Sequence, residues 1–346
     1  MKTKPLFNAG VLVSFSAFLI ACSAQSAGVS ASTPTTLPVS QPVATVTQPA
    51  ALTPAASPTS QPGPTARTAA ASLEVVRRIN GNPNPFKMPS NLAFDATGDM
   101  YVLDAGNDRV QLFDPSGKFI SMWGSQGLGD GQFDLVVHED FTYVLGGVVL
   151  ENNGIVYIAD GLNQRVEEFD SRGKFLMKWG SYGLGDGQFL RPLDLAVDAG
   201  GNIYVVDDHR EDIQKFDPQG KFLLKFGSNG NGDGQLSNTG GITIGPDGNL
   251  YIADYGNNRV EVFSPDGRYL RQWPTPVKNA VDIAVDGKGN IFTTHEAGEM
   301  VEYDPNGKPI SIMDKLGLDG GGGMVINSDG LLYVTDNQGI EVLREK

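Results

Sequence analysis

The chain contains one cysteine, Cys22, in 346 residues. That excludes a disulfide framework and any cysteine-built metal site. Histidine is nearly as scarce, at three, so a histidine zinc site has few ligands to draw on. The first 72 residues carry no acidic group; Lys2, Lys4 and Arg67 are their only charges. All 40 Asp and Glu therefore fall within 73–346, against 23 basic residues, a formal charge of −17 there. A field of that sign repels phosphate backbones and no basic stripe interrupts it, which argues against nucleic acid as a partner. The longest apolar stretch, near the start, is too short to span a membrane. No Gly-x-Ser-x-Gly, His-Glu-x-x-His or Walker pattern occurs, so no strong catalytic constellation stands out.

What opens the chain is a basic start, a mostly apolar stretch through Val11–Ile20, and Leu19-Ile20-Ala21-Cys22. This order reads as an export signal. The tetrad resembles the lipobox of bacterial lipoproteins. The resemblance implies that residues 1–21 are a signal peptide and that Cys22 becomes a lipidated mature N-terminus. Two or more acyl chains anchor a protein stably, whereas one binds marginally. Residues 23–72 are mostly Ala, Ser, Thr, Pro, Gln and Val, with eight prolines and a single charge. They show no structural period and too little apolar mass to offset chain entropy. We read 22–72 as the lipidated cysteine and a disordered tether, spanning about 40 Å as a coil and roughly 150 Å as polyproline II. The expected location is outside the cytoplasm, membrane-anchored, at the cell surface or in the periplasm.

From 73 onward the sequence repeats. "DATGDMYVLDAGNDRVQLFDPSGKFISMWG" (95–124), "ENNGIVYIADGLNQRVEEFDSRGKFLMKWG" (151–180) and "DAGGNIYVVDDHREDIQKFDPQGKFLLKFG" (198–227) align in register. A fourth copy starts at 245, a worn fifth at 286 and a truncated sixth at 327. Each copy is anchored by the residue closing its Tyr-Val-x-Asp run: Asp104, Asp160, Asp207, Asp254, His295 and Asp336, spaced 56, 47, 47, 41 and 41 apart. A period of about 40–50 residues with about four strands per unit signals a β-propeller. In the third copy the strands fall at Leu193–Val197, Ile203–Val206, Ile213–Phe216 and Phe222–Phe226, rich in Val, Ile, Tyr and Phe. The sixth copy stops after its third strand, Ile340–Leu343, while Leu73–Ile79 is a strand with no copy before it. The expectation is an all-β, six-bladed propeller over 73–346 in which Leu73–Ile79 completes the last blade.

The Gly-rich runs "GSQGLGDGQF" (124–133), "GSYGLGDGQF" (180–189) and "GSNGNGDGQL" (227–236) fall between one unit's fourth strand and the next unit's first. A phosphate-binding Gly-x-Gly-x-x-Gly loop needs a helix after it, and here a strand follows. They read as interblade connectors, with Asp130, Asp186 and Asp233 bonding local backbone N–H groups and Phe133 and Phe189 packed between blades.

The pattern "GNxYVxDxGNxRVxxFDPxGKFLxxWGSxGxGDGQF" resembles the NHL repeat of six-bladed β-propellers. The likeness covers about 88–346 and is strongest in copies one, two and four. It implies a central channel lined by first strands and binding surfaces at the faces. It implies no single function, since members bind RNA or proteins and relatives of the same architecture are lyases or lactonases.

Four groups of candidate residues follow. Asp104 with Arg109, Asp160 with Arg165 and Asp254 with Arg259 recur at the turn between second and third strands. They read as a structural network, or alternatively as a polar recognition ring. Copies three, five and six lack that Arg, which suggests turns freer to carry function. At the start of the innermost strands, Asn91, Asp194 and Asp282 alternate with Gly147, Gly241 and Gly323. On a common axis they could hold Ca²⁺ or another divalent cation; alternatively the carboxylates bond neighbouring amides. His138, His209 and His295, the last followed by Glu296, read as loop histidines near one face, with a metal or acid–base role as the alternative. The insertion 134–148, with Phe141, Tyr143 and Leu145, reads as a specificity loop or as irregular filler. Taken together, the sequence points to a monomeric, non-catalytic module binding a protein, peptide or glycan of the cell envelope. The rival is a metal-assisted lyase or lactonase working at the channel mouth.

Overall fold

The computed structural model describes residues 73–138, 142–144, 146–314 and 316–345, with backbone alone for 137, 138 and 142–144. Residues 1–72, including Cys22 and the tether, lie outside the described residues, as does Phe141.

Six four-stranded antiparallel sheets make six blades. Blade 1 runs Asn91–Phe94, Met100–Asp104, Arg109–Phe113 and Phe119–Trp123 from inside to outside. Blade 2 begins at Val148–Leu150 and ends at Phe175–Trp179; blade 3 spans Pro192–Val197 to Phe222–Phe226. Blade 4 spans Ile242–Ile244 to Tyr269–Pro274, and blade 5 Ala280–Val285 to Pro309–Met313. Blade 6 contributes Met324–Ile326, Leu332–Asp336 and Gly339–Glu345, and its outermost strand is Leu73–Ile79. Innermost strands of successive blades touch around the whole ring, blade 6 meeting blade 1.

Strand composition follows from position. Second strands such as Met100–Asp104 and Val156–Asp160 are buried at every residue, because each is covered on both sides by neighbouring blades; their apolar runs are accordingly unbroken. Outermost strands alternate instead: in Phe175–Trp179 the Phe, Met and Trp turn inward and Leu176 and Lys178 face out. In blades 1, 2, 3 and 5 the turn into the outermost strand is set by an Asp whose carboxylate accepts backbone N–H bonds, as Asp114 does from Ser116 and Lys118 at 2.9 and 3.0 Å.

The hydrophobic core is divided into six clusters, one per seam between adjacent blades. In the seam of blades 1 and 2, Tyr101 and Leu103 meet Ile158 and Phe169. The seam of blades 6 and 1 joins Ile79, Tyr333 and Val342 to Leu92, Val102 and Phe113. Closure therefore uses the first strand of the described chain, paired antiparallel from Leu73 with Glu345 to Ile79 with Ile340.

The Gly-rich runs are connectors, each pinched by a bridge between Gln126 and Phe133, Tyr182 and Phe189, or Asn229 and Leu236. Phe133, Phe189 and Leu236 are fully buried. Their aspartates act differently from expectation. Asp130 pairs with Lys178 Nζ at 2.7 Å and Asp186 with Lys225 Nζ at 3.0 Å, while Asp233 accepts from Gln272 Nε2 at 3.0 Å. Gln132, Gln188 and Gln235 take the local role, their Oε1 atoms accepting the N–H of Gly129, Gly185 and Gly232. The insertion in the second copy forms a small ribbon, Val136–His138 against Thr142–Val144, and leads into the innermost strand of blade 2 at Val148.

Candidate functional site

The turns between second and third strands form a ring of buried carboxylates. Asp160 accepts the backbone N–H of Asp134 at 2.9 Å and holds Asn163 Nδ2 and Arg165 Nε at 2.8 Å each. Arg165 then donates to the carbonyls of Leu128, Gly129 and Gln132, so one guanidinium fastens the connector to the blade. Arg259 repeats this on Asn231, Gly232 and Gln235, with Asp254 at 2.6 Å. Arg109 pairs with Asp104 at 2.7 Å and reaches the Pro85 carbonyl. The turns lacking that Arg are not free. In blade 3, Arg210 pairs with Asp212 at 2.8 Å and donates to the Gly185 and Gln188 carbonyls. In blade 6, Arg78 from the N-terminal strand pairs with Asp336 at 2.9 Å.

Blade 5 substitutes His295, which is fully buried rather than an exposed loop histidine. Its Nδ1 faces the Lys278 carbonyl at 3.0 Å, so Nδ1 carries the hydrogen and Nε2 is left to accept from Thr293 Oγ1 at 2.9 Å. Burial holds its pKa below the usual histidine value. The aspartates of the other blades accept an N–H from the connector; the imidazole donates to a carbonyl there. His209 is exposed on the blade 3 turn, and His138 lies on the ribbon. Among the described residues, no group of three or more His, Cys, Asp or Glu side chains is placed to hold a metal.

The innermost strands do bring Asn91, Asp194 and Asp282 toward one another. Asn91 Nδ2 donates to Asp194 Oδ1 at 3.1 Å, although blade 2 separates them in sequence. Asp194 Oδ2 accepts the N–H of Ile242 in blade 4 at 2.9 Å. Asp282 accepts from Met324 of blade 6 at 2.6 Å and from its own neighbour Ile283 at 2.8 Å. Each carboxylate thus reaches the next blade with Oδ2 while Oδ1 lies against a glycine of the preceding blade: a Cβ on Gly147 would strike Asp194 Oδ1, and one on Gly241 would strike Asp282 Oδ1. This explains the alternation of polar residue and glycine. Burial raises the pKa of both carboxyls, and the Asp194 charge raises Asp282 further.

Above this cluster the channel opens into a bowl of about 390 Å³. Asn91, Asp194 and Asp282 stand in its lining with Tyr255, Glu296 and Asp319, and the backbone of Gly320–Gly323 completes one wall. Among the described residues, no lysine or arginine lines it. Glu296 Oε2 accepts from Tyr255 Oη at 2.7 Å and Asn279 Nδ2 at 2.6 Å, and these bonds hold its carboxyl below the usual range. The bowl therefore presents a fixed anionic rim over a floor of buried carboxyls. It suits ligands that donate hydrogen bonds or carry positive charge.

This repeat architecture has named counterparts. The NHL repeat family matches residues 240–263, which cover the inner three strands of blade 4. The chain carries an NHL repeat. NHL repeat-containing protein 3 of Homo sapiens is 32% identical over 102 residues, 28% of this chain and 27% of that protein. Peptidylglycine alpha-amidating monooxygenase of Rattus norvegicus is 30% identical over 122 residues, 33% of this chain and 12% of that protein. The chain thus spans about a quarter or less of the length of these relatives. In fold it is similar to a gluconolactonase from Xanthomonas campestris, with a TM-score of 0.59 at 16% identity over 75% of this chain and 87% of that one. It is also similar to virginiamycin B lyase of Staphylococcus aureus, with a TM-score of 0.57 at 14% identity over 80% of this chain and the whole of the other. At such identities the likeness is one of architecture.

Sequence reasoning missed Tyr255, Asp319 and the four-glycine wall. A signal was present. The residue after each anchor changes in every copy, being Ala105, Gly161, Asp208, Tyr255, Glu296 and Asn337, while its surroundings repeat. Three of these six line the bowl.

Proposed function

We propose that this NHL propeller is a binding and scaffolding module of the cell envelope, held to the membrane through lipidated Cys22 and presented by the 22–72 tether. Its site is the bowl at the channel mouth, and its partner is an envelope protein, peptide or glycan. The observation that carries this reading is the commitment of the floor. Both oxygens of Asp194 and both of Asp282 already accept hydrogen bonds from Asn91 or from backbone N–H groups. Those bonds commit the carboxyls to holding the blades together. The anionic rim at Glu296 supplies recognition instead.

A second reading, a metal-assisted lyase or lactonase, draws on one observation: two protonatable carboxyls stand in the bowl's lining with an amide beside them. One experiment separates the two. Purified protein is assayed for bound metal and for retention on envelope components, beside Glu296→Gln and an Asp194→Ala/Asp282→Ala double variant. Metal-free protein whose retention weakens about tenfold in Glu296→Gln supports the module. Stoichiometric metal that vanishes in the double variant supports the enzyme and overturns the module. Membrane attachment is tested separately: Cys22→Ala should move the protein from the membrane to the soluble fraction.

A further inference from the structure

The face opposite the bowl, where the first-to-second and third-to-outermost strand turns lie, shows a repeated cradle. In blades 3, 4 and 6 a second-strand tyrosine stands beneath the outer turn of the following blade, and a cation from the chain sits beside it. Lys215 Nζ donates to the Pro265 carbonyl at 3.3 Å, lies 3.6 Å from Asp198 and is 4.8 Å over the Tyr204 ring. Arg271 donates to the Pro305 carbonyl at 2.8 Å and to Tyr251 Oη at 3.4 Å. Arg77 donates to the Ser116 carbonyl at 2.9 Å and to Tyr333 Oη at 3.5 Å. The cation arrives from two register positions, the third-strand residue opposite the tyrosine or the outermost-strand residue opposite that one.

Blade 2 builds the cradle and omits the cation. Tyr157 Oη donates to Glu151 Oε2 at 3.2 Å. The two register positions hold Glu168 and Met177. Glu168 is 9% exposed, and its Oε2 has no hydrogen-bond partner. Glu151 is covered by the turns of blade 3: a Cβ on Gly201 would lie 2.8 Å from Glu151 Oε1 and 3.0 Å from Pro218 Cγ. A buried carboxylate without a partner is costly, and a second one beside it adds repulsion. The remaining two blades lack this cradle of a tyrosine between two such carboxylates. In blade 1, Tyr101 Oη bonds the Ser171 carbonyl directly and the register positions are Leu112 and Ser121. In blade 5 the tyrosine is Phe292, so the cradle is not built; the pKa of Glu302 there is pushed up by burial and by the Glu345 and Asp286 charges, which Lys288 only partly opposes.

We propose that blade 2 takes its missing cation from solvent, as a hard divalent ion of the Ca²⁺ class held by the Glu151 and Glu168 carboxylates beside Tyr157 Oη. Two carboxylates balance the ion's charge. Carbonyl and water oxygens complete a shell that Ca²⁺ accepts readily, since it takes six to eight oxygen ligands in flexible geometry. The site is independent of the bowl and shares no residue with it.

The test is thermal unfolding of the full-chain protein near neutral pH, after chelation and then with CaCl2 at about 5 mM and constant ionic strength. Calcium should raise the Tm of the wild-type protein by about 2–4 °C and leave Glu168→Gln unmoved. Glu168→Lys should supply the ammonium that Lys215 supplies in blade 3, raising the Tm without calcium and abolishing the calcium response. If Glu168→Lys fails to fold, the wild type and Glu168→Gln still decide. A wild-type Tm indifferent to calcium overturns the proposal. So does a rise of equal size in Glu168→Gln, or an equal rise with KCl alone.

Discussion

Glu167 and Glu261 are carboxylates where blades 1 and 3 keep amides. Opposite Val102 and Val205, blades 1 and 3 place Gln111 and Gln214; at the same register blades 2 and 4 place Glu167 and Glu261, both fully buried. Each shares its arginine with an anchor aspartate, Arg165 lying 3.2 Å from Glu167 and Arg259 3.0 Å from Glu261. One guanidinium cannot neutralise two buried carboxylates. Burial, opposed by the arginine and reinforced by the anchor aspartate, pushes Glu167 and Glu261 up to about 7. Because the folded value lies above the unfolded one, the native state binds more protons between about pH 4.5 and 7, and stability falls as pH rises through that window. The Glu167→Gln/Glu261→Gln variant copies the chemistry of blades 1 and 3. It should match the wild type near pH 4.5 and exceed it by about 1–2 kcal/mol at pH 8, a figure discounted for solvent screening. Urea unfolding at several pH values checks this, and a difference that does not change with pH would refute it.

The connectors show how an element can be held by different residues in each copy. Arg165 and Arg259 stand five residues past their anchors; Arg210 stands three past Asp207 yet reaches the same two carbonyl positions, Gly185 and Gln188. Its side chain is 4% exposed and its partner Asp212 is buried. Arg210→Ala should therefore cost about 3 kcal/mol, as expected for breaking a buried pair, and Arg109→Ala less because that side chain is 19% exposed. An Arg210→Ala cost under about 0.5 kcal/mol would mean that the blade 3 turn is free after all. This case also marks where legibility ended. Strand order, blade number and the alternation of Asn91, Asp194 and Asp282 with glycine could be read from repeat phase, because burial on both faces imposes the same pattern on each copy. Phase does not say which side chain fills a gap in space. Arg210 is displaced by two residues, Arg78 comes from the far end of the chain, and His295 reverses donor and acceptor against the connector backbone. The Asn91 to Asp194 bond skips a blade, which a nearest-neighbour repeat cannot announce.

At the scale of the molecule, stability is distributed over six seams with one core each, and a ring transmits the loss of any seam to all. The seam of blades 6 and 1 differs in being closed by non-covalent pairing of distant chain segments. Removing Leu73–Ile79 would strip Gly339–Glu345 of its partner strand, leaving an open apolar edge of the kind that recruits other chains. It would also remove Arg78, leaving Asp336 buried without its cation and Glu341 without its partner, and take Ile79 out of the seam core. A variant lacking 73–79 should lose at least about 3–5 kcal/mol from the unpaired charge alone and should aggregate on size exclusion. Lost mass and lost closure are separated by a permutant. Leu73 pairs with Glu345, so a short linker can return the strand as a hairpin after the chain's last residue. If closure is what matters, that permutant should regain a cooperative melt near the wild-type Tm. A deletion that melts like the wild type, or a permutant as unstable as the deletion, would show that the ring does not depend on this strand.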